Sequence, residues 1–210
     1  MRVVKKHDER RNEILDAAEK LFAEKSYMKT TINDILQEVG IAKGTFYYYF
    51  KSKEEVMDAV VLRYIDMGTE AIKAIVDDKS LTAPEKFVIL LTKDVTNSEN
   101  KEEMIEQFHQ AGNAEMHQKS LMMSIERMTP LVTDIVLQGI EEGVYNTPYP
   151  REMVELILIS ANLIFDEGLF RWTPEEKLQK AETLAYLIEK ALGAEKGSFA
   201  YMVSGVMNKE

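Results

Sequence analysis

Apolar residues recur along this chain at three- and four-residue intervals from Ile14 to Leu192, while alternating apolar–polar runs are few. That is the period of helices and not of strands. The first such run covers Asp8 to about Glu24, with Ile14, Ala17, Ala18, Leu21 and Phe22 on one side and Glu13, Asp16, Lys20 and Glu24 opposite. Tyr27 and Met28 in the following loop are expected to close a small core. Next, Ile32, Ile35, Leu36 and Val39 line one face of a short helix. Thr31 is its N-cap, Asp34 closes a capping box, and Gly40 ends it. After a tight turn, Phe46 and Phe50 point inward from a second short helix and leave Lys43, Gly44, Thr45, Tyr47 and Tyr48 outside, with Tyr49 undecided. Two short helices joined this way make a helix-turn-helix, whose second helix enters a DNA major groove.

Ser52 with Glu55 starts a long helix that runs to about Asp77. Thr82, Pro84 and Glu85 announce another, and Asn97–Asn100 reads as a turn. A helix over roughly 101–117 and a longer one over 119–142 follow, with Pro130 expected to kink or break the second near Met128–Thr129. The stretch VYNTPYP is the clearest loop. Pro150 opens a helix that is apolar on more than one face, Thr173–Glu176 caps another that closes at Gly193, and the apolar tail 195–210 reads as a short docked helix or a partner-binding segment. The fold class is therefore all-α with about nine helices. The chain is expected to divide into a three-helix DNA-binding domain (1–52) and a helical domain (53–210), the latter expected to serve ligand binding and dimerisation for the reasons given below.

Charge sharpens this division. The 210 residues carry a net −10, but residues 1–53 hold 11 Lys/Arg against 8 Asp/Glu, a net +3. Residues 54–210 hold 15 against 28, a net −13. The basic island coincides with the helix-turn-helix, and acidity elsewhere disfavours wrong docking on phosphate. The absence of cysteine, of a signal-peptide core and of an apolar run near 18 residues makes a cytoplasmic address the default and a membrane role unexpected.

The outward face of the second short helix offers DNA-binding chemistry. Lys43, Lys51 and Lys53 are cations, Thr45 is a short hydroxyl, Tyr47 and Tyr48 have phenol donors on stiff rings, and Gly44 permits close backbone approach. The basic arm 1–7 could add phosphate contacts.

The middle of the chain is where a small molecule would be sought. Met104, Met116, Met122, Met123 and Met128 cluster there, beside polar Gln107, His109, Asn113, His117 and Gln118. Methionine at helical spacing reads first as core. The candidate ligand set is Phe87, Leu91, Met104, Gln107, Phe108, His117 and Met122. Glu106 and His109 match one Glu-x-x-His element of a di-iron bundle, but such a site needs two, so neither a metal nor a cofactor is expected. No nucleophile–base pair or phosphate-binding glycine loop supports an enzyme.

Residues 8–56 resemble the DNA-binding domain of the TetR family of bacterial transcriptional regulators. The likeness rests on the paired alanines before Leu21-Phe22, the paired threonines at 30–31, VGIAKGTFYYYF and KSKEE. The resemblance implies that Thr31 lies near a phosphate, that Lys43, Gly44, Thr45, Tyr47 and Tyr48 form the recognition face, and that Lys53 contacts a phosphate. Tyr49 stands where the family often has His. It also implies a transmitter role for the long helix. It further implies a homodimer through helices at about 151–172 and 174–192, a palindromic double-stranded DNA operator, and a small-molecule effector that releases a repressor from it. A regulator answering to a protein partner, or to no effector, is the alternative.

Overall fold

The Thr31 hydroxyl accepts the Asp34 N–H at 3.2 Å, and the Asp34 carboxylate accepts the Thr31 N–H at 2.7 Å, so both halves of a capping box are present. This fixes the start of helix α2 (Ile32–Val39), and Gly40 ends it at φ 71°, a left-handed conformation that favours glycine. The computed structural model describes residues 7–92 and 111–203, and the regular elements among them are all helical. In chain order they are α1 (His7–Lys25), α2, α3 (Lys43–Tyr49), α4 (Lys53–Asp77), α5 (Ala83–Thr92), a single 3-10 turn (Ala111–Asn113), α6 (Ala114–Glu141), α7 (Pro150–Ile164) and α8 (Pro174–Leu192). The chain divides into two compact units. One is Met1–Asp66 with Ser98–Met122, and the other Met67–Asn97 with Met123–Glu210.

In the first unit α1 packs on α2, and α2 on α3. Ile14, Ala18, Phe22, Ile35, Phe46, Phe50, Val56 and Val61 are buried there, while Ile32, Leu36 and Val39 of the α2 stripe are half-buried. Met28 differs from expectation. It is 74% exposed, while neighbouring Tyr27 is buried against Phe22 with ring centroids 5.3 Å apart.

The capping carboxylate makes a testable point. Hydrogen bonds from Lys25 and Thr31 hold the Asp34 carboxyl down from its ordinary 3.8 to about 2. A depressed carboxyl contributes stability that is complete above its unfolded pKa and lost as pH falls through the folded one. Urea melts at stepped pH should therefore show wild type more stable than Asp34→Asn above about pH 4, with the gap closing as pH approaches 2. A gap that does not change with pH would refute this assignment.

In the second unit the core joins Ile72 and Val76 of α4, Phe87 of α5, Val132, Ile135 and Val136 of α6, and Leu184, Ile188 and Leu192 of α8. Tyr145 and Phe199 complete it, with ring centroids 6.0 and 5.4 Å from Phe87. The described part of the tail is docked: Gly197 and Phe199 donate backbone N–H groups to the buried Glu189 carboxylate at 2.7 and 3.2 Å. Lys86, fully buried, donates to Val76 O at 2.6 Å and Gln138 Oε1 at 2.7 Å, so a cation meets the carbonyl end of α4. Gln138 in turn bonds Leu81 O and Glu142, and Glu142 accepts the Ala83 N–H that opens α5.

Two boundaries depart from the sequence reading, and of the kink or break expected at Pro130 the break is absent. α6 runs unbroken from Ala114, so the expected break at 117–119 is absent and the Ser120 hydroxyl bonds His117 O within the helix. It also continues through Pro130. The Thr129 and Thr133 hydroxyls bond the carbonyls four residues back on either side of the proline. α7 stops at Ile164 and does not reach 172. There Asp166 Oδ1 accepts the N–H groups of Gly168 and Leu169 at 2.9 and 3.0 Å, a turn that competes with the helix, and Trp172 Nε1 donates to the terminal Ile164 carbonyl. Residues 1–6 of the expected arm 1–7, the turn at 97–100, the start of the 101–117 helix and the tail beyond 203 lie outside the described residues, while His7, expected in the arm, is the first residue of α1.

Candidate nucleic-acid interface

Helix α3 is short, and its two ends explain its posture. Ala42 opens it without a side-chain cap, and the Phe50 N–H closes it on Phe46 O at 2.9 Å. Phe46 and Phe50 are 0% and 2% exposed, so the i, i+4 pair anchors the helix to the interior. The register then turns Tyr47 and Tyr48 outward, at 45% and 70% exposure. Lys43, Gly44 and Lys51 are exposed as well, and Thr45 is half-buried. Thr31, exposed at the start of α2, has its hydroxyl engaged with Asp34.

Electrostatics on this face is arranged around the rings. Lys43 Nζ lies 5.8 Å from the Tyr47 ring centroid, within cation–π range. His7 packs on Tyr49 and Tyr48, with centroids 4.8 and 5.7 Å apart, so the start of α1 reaches α3. Tyr49, left undecided by its sequence position, is half-buried in that contact. His7 carried no sequence signal of its own, because its partners lie some forty residues further along the chain.

Lys53 is placed differently from the other two lysines. Its ammonium donates to Tyr27 O at 2.7 Å and Thr30 O at 2.9 Å and sits 4.0 Å from the Tyr27 ring centroid. Burial lowers its pKa. Arg63 binds Asp16 and Glu19, and Tyr64 also bonds Glu19, tying α4 to α1. Lys119 binds Glu54 at 2.8 Å and Asp58 at 2.7 Å, and these carboxylates raise its pKa against the opposing cost of burial.

The candidate ligand residues fall in different places. Phe87 is buried in the second unit's aromatic cluster and Leu91 of the same unit is exposed. His117, half-buried, and Met122, exposed, belong to the first. Met104, Gln107 and Phe108, like Glu106 and His109, lie outside the described residues. Among the described residues no group of three His, Asp or Glu side chains could hold a metal, and no helix is long and apolar enough to cross a membrane.

Sequence comparison supplies what geometry leaves general. Residues 14–60 match the profile of bacterial regulatory proteins of the tetR family, and residues 94–186 match that of a tetracyclin repressor-like C-terminal domain. The chain belongs to the TetR family. An HTH-type transcriptional regulator of Bacillus subtilis, YfiR, is 24% identical over 181 residues, covering 79% of this chain and 86% of the relative. Other matches are mainly local. The B. subtilis regulator YerO is 36% identical over 81 residues, 39% of this chain but 28% of YerO's length. The Mycobacterium tuberculosis repressor KstR2 is 37% identical over 76 residues, 36% of this chain and 38% of its own. In fold, the crystal structure of RolR with its ligand resorcinol aligns over 94% of both chains with a TM-score of 0.64 at 17% identity. A TetR-family regulator from Syntrophomonas wolfei aligns over 97% of this chain and 95% of its own, with a TM-score of 0.57 at 22% identity. The protein is thus a TetR-family transcriptional regulator, all-α, with an N-terminal helix-turn-helix and a helical C-terminal domain.

Proposed function

We propose that this regulator is a cytoplasmic repressor that binds a palindromic operator as a homodimer and leaves it when a small molecule occupies its C-terminal domain. The observation that carries the DNA half is the α3 face, where Tyr47 and Tyr48 stand exposed beside Lys43 and Lys51 on a helix pinned by Phe46 and Phe50. Phenol hydroxyls and ammonium groups donate to phosphate oxygens and base edges, and flat rings lose little conformational freedom when they do so. In this reading Thr31, Lys43, Gly44, Thr45, Tyr47, Tyr48 and Lys51 meet the duplex. Support for the dimer comes from α7 and α8, where Leu156, Ile159, Leu163, Tyr186 and Leu187 stay exposed in the single chain. A monomer covers one half-site, and a two-fold dimer spaces two recognition helices about one helical turn, roughly 34–36 Å, apart or a multiple of it. Repression and ligand release accord with a relative named as a repressor and with a fold neighbour solved with resorcinol. As a mechanism, the ligand prefers a dimer geometry whose helix spacing misfits the operator, and its differential affinity sets how far the balance moves.

The test uses duplexes recovered from a random pool by the full chain, titrated by fluorescence anisotropy at stepped salt. Salt-sensitive binding is expected. Tyr48→Ala should weaken it by about 1–3 kcal/mol, ~5- to 150-fold, while helicity and association state stay unchanged. Normal binding by both Tyr48→Ala and Lys43→Ala would overturn the assignment of this face.

A further inference from the structure

A lysine head has three N–H donors and no acceptor. In Lys53 two of them are taken by Tyr27 O and Thr30 O, and the Tyr27 ring covers a further side of the ammonium. The two carbonyls belong to the loop that leads into α2. Thr30 is itself buried, its hydroxyl bonding Ser26 O at 2.8 Å and Leu21 O at 3.2 Å, and Thr31 next to it is the α2 cap. Lys53 is the first residue of α4, three beyond the Phe50 cap of α3. One ammonium therefore ties together the two ends of the segment 30–53, which contains the whole helix-turn-helix.

The same loop is gripped from a second element. Asn113, 1% exposed, accepts the Tyr27 N–H at 2.6 Å, and Gly112 O accepts the Met28 N–H at 3.2 Å. Gly112 lies so close to Ser26 that any Cβ at 112 would collide with its hydroxyl. Ser26 holds φ 70°, strained for a residue with a side chain, which a loop keeps only when its surroundings fix it. The two peptide groups that flank the Tyr27 Cα are thus both held, the N–H by Asn113 and the carbonyl by Lys53.

We propose that Lys53 is a positioning residue and not a phosphate contact: it clamps the base of the helix-turn-helix, and Asn113 holds the clamped loop from the other side. The proposal rests on the DNA-binding reading above for its effect on affinity, but not for the clamp itself. Loss of the clamp leaves α3 chemically intact and its orientation less fixed, so every operator contact weakens together and none disappears. A lost phosphate contact behaves otherwise, because it removes released counterions and flattens the salt dependence.

The experiment compares wild type with Lys53→Met, Lys53→Arg, Asn113→Ala and Lys51→Met on the selected duplex. Log affinity is measured against log salt concentration, and circular dichroism confirms folding. Lys53→Met should bind about tenfold more weakly at every salt with an unchanged slope, the scale of losing hydrogen bonds from a charged donor. Lys51→Met should flatten the slope by about 0.9, the value of one phosphate. Lys53→Arg keeps the charge but not the fit beneath Tyr27, so it should not restore affinity. Asn113→Ala should again lower affinity at constant slope.

In the DNA-free full chain, amide resonances of Thr31 and residues 43–49 should shift in Lys53→Met and Asn113→Ala but not in Lys51→Met, a change that mere loss of global stability would not produce. A flattened slope in Lys53→Met that Lys53→Arg repairs, or unmoved resonances, overturns the clamp. If Lys53→Met does not fold, Lys53→Arg and Asn113→Ala carry the same comparison. If wild type selects no duplex, the DNA reading fails while the resonance test still decides the clamp.

Discussion

Replacing Gly139 by alanine should destabilise the folded chain by about 2–3 kcal/mol, near the top of the range for forcing extra atoms into a packed interior. At 139 the cause is local and severe. A Cβ built there would lie closer than 3.0 Å to three atoms of the Tyr145 ring. That ring cannot simply swing aside. It is 4% exposed, contacts Phe87 and Phe199, and its own backbone N–H is bonded to Gly139 O at 3.0 Å. For a chain of this size the melting temperature should fall by about 4–12 °C, with protein concentration held fixed because association also shifts it. The double-mutant cycle identifies the mechanism. Tyr145→Ala alone should cost about 3–5 kcal/mol by emptying the site. Adding Gly139→Ala to it should then cost almost nothing, since the colliding ring is gone. Thermal melts of the four proteins check this. Additive losses, or a Gly139→Ala protein that melts with wild type, would mean the ring does not pack on the glycine.

Gly139 also marks where sequence reading reaches its limit. The features legible in the chain were those decided within a few residues. Thr31 with Asp34 and Thr173 with Glu176 both form complete capping boxes, and Gly40 and Gly193 both close their helices in the left-handed conformation. Phe46 and Phe50 were readable as inward because their spacing leaves one common face, and that alone exposed Tyr47 and Tyr48. Features set by partners far along the chain left no local trace. Lys86 looks like a solvated residue beside Phe87, yet it is fully buried because Gln138 and the end of α4 supply acceptors. Asn113 reads as one polar residue among several in a methionine-rich stretch, and its partner Tyr27 lies 86 positions earlier. Lys53 gives no sign in its own stretch that two of its donors are taken by carbonyls 23 and 26 residues back. Helix ends were harder to place. At Pro130 the helix goes on, so the break that was one of two expected outcomes is absent, whereas Asp166, an unremarkable acid in sequence, sits at the end of α7 and accepts the N–H groups of Gly168 and Leu169.

Placing a carboxylate on each exposed stripe, Leu156→Glu with Leu187→Glu, should convert a dimer to a monomer and remove operator binding in the working range. The single chain leaves Leu156 59% exposed, with Ile159 and Leu163 following at three- and four-residue steps along one side of α7. α8, packed on α7, adds Tyr186 at 59% and Leu187 at 47%. Large apolar side chains scattered singly on a surface need no explanation, but two such groups on neighbouring helices do. A two-fold interface presents each residue twice, so the double substitution would bring four carboxylates into one seam. Each unpaired buried charge costs several kcal/mol. Even a tenth of that total would weaken association measurably, and at least ~100-fold is expected, about 2.7 kcal/mol. Because half-site contacts alone remain, affinity for a full palindrome should fall to that of a half-site duplex, on which wild type and variant should agree. Sedimentation velocity reads the first consequence and anisotropy on full and half sites the second. The core beneath is untouched, since Val154, Leu184 and Ile188 stay buried from the other side, so the melting curve of the monomer should remain cooperative. A variant that still sediments as a dimer would remove α7 and α8 from the interface, and a monomeric wild type that binds the full palindrome tightly would remove the dimer from the mechanism.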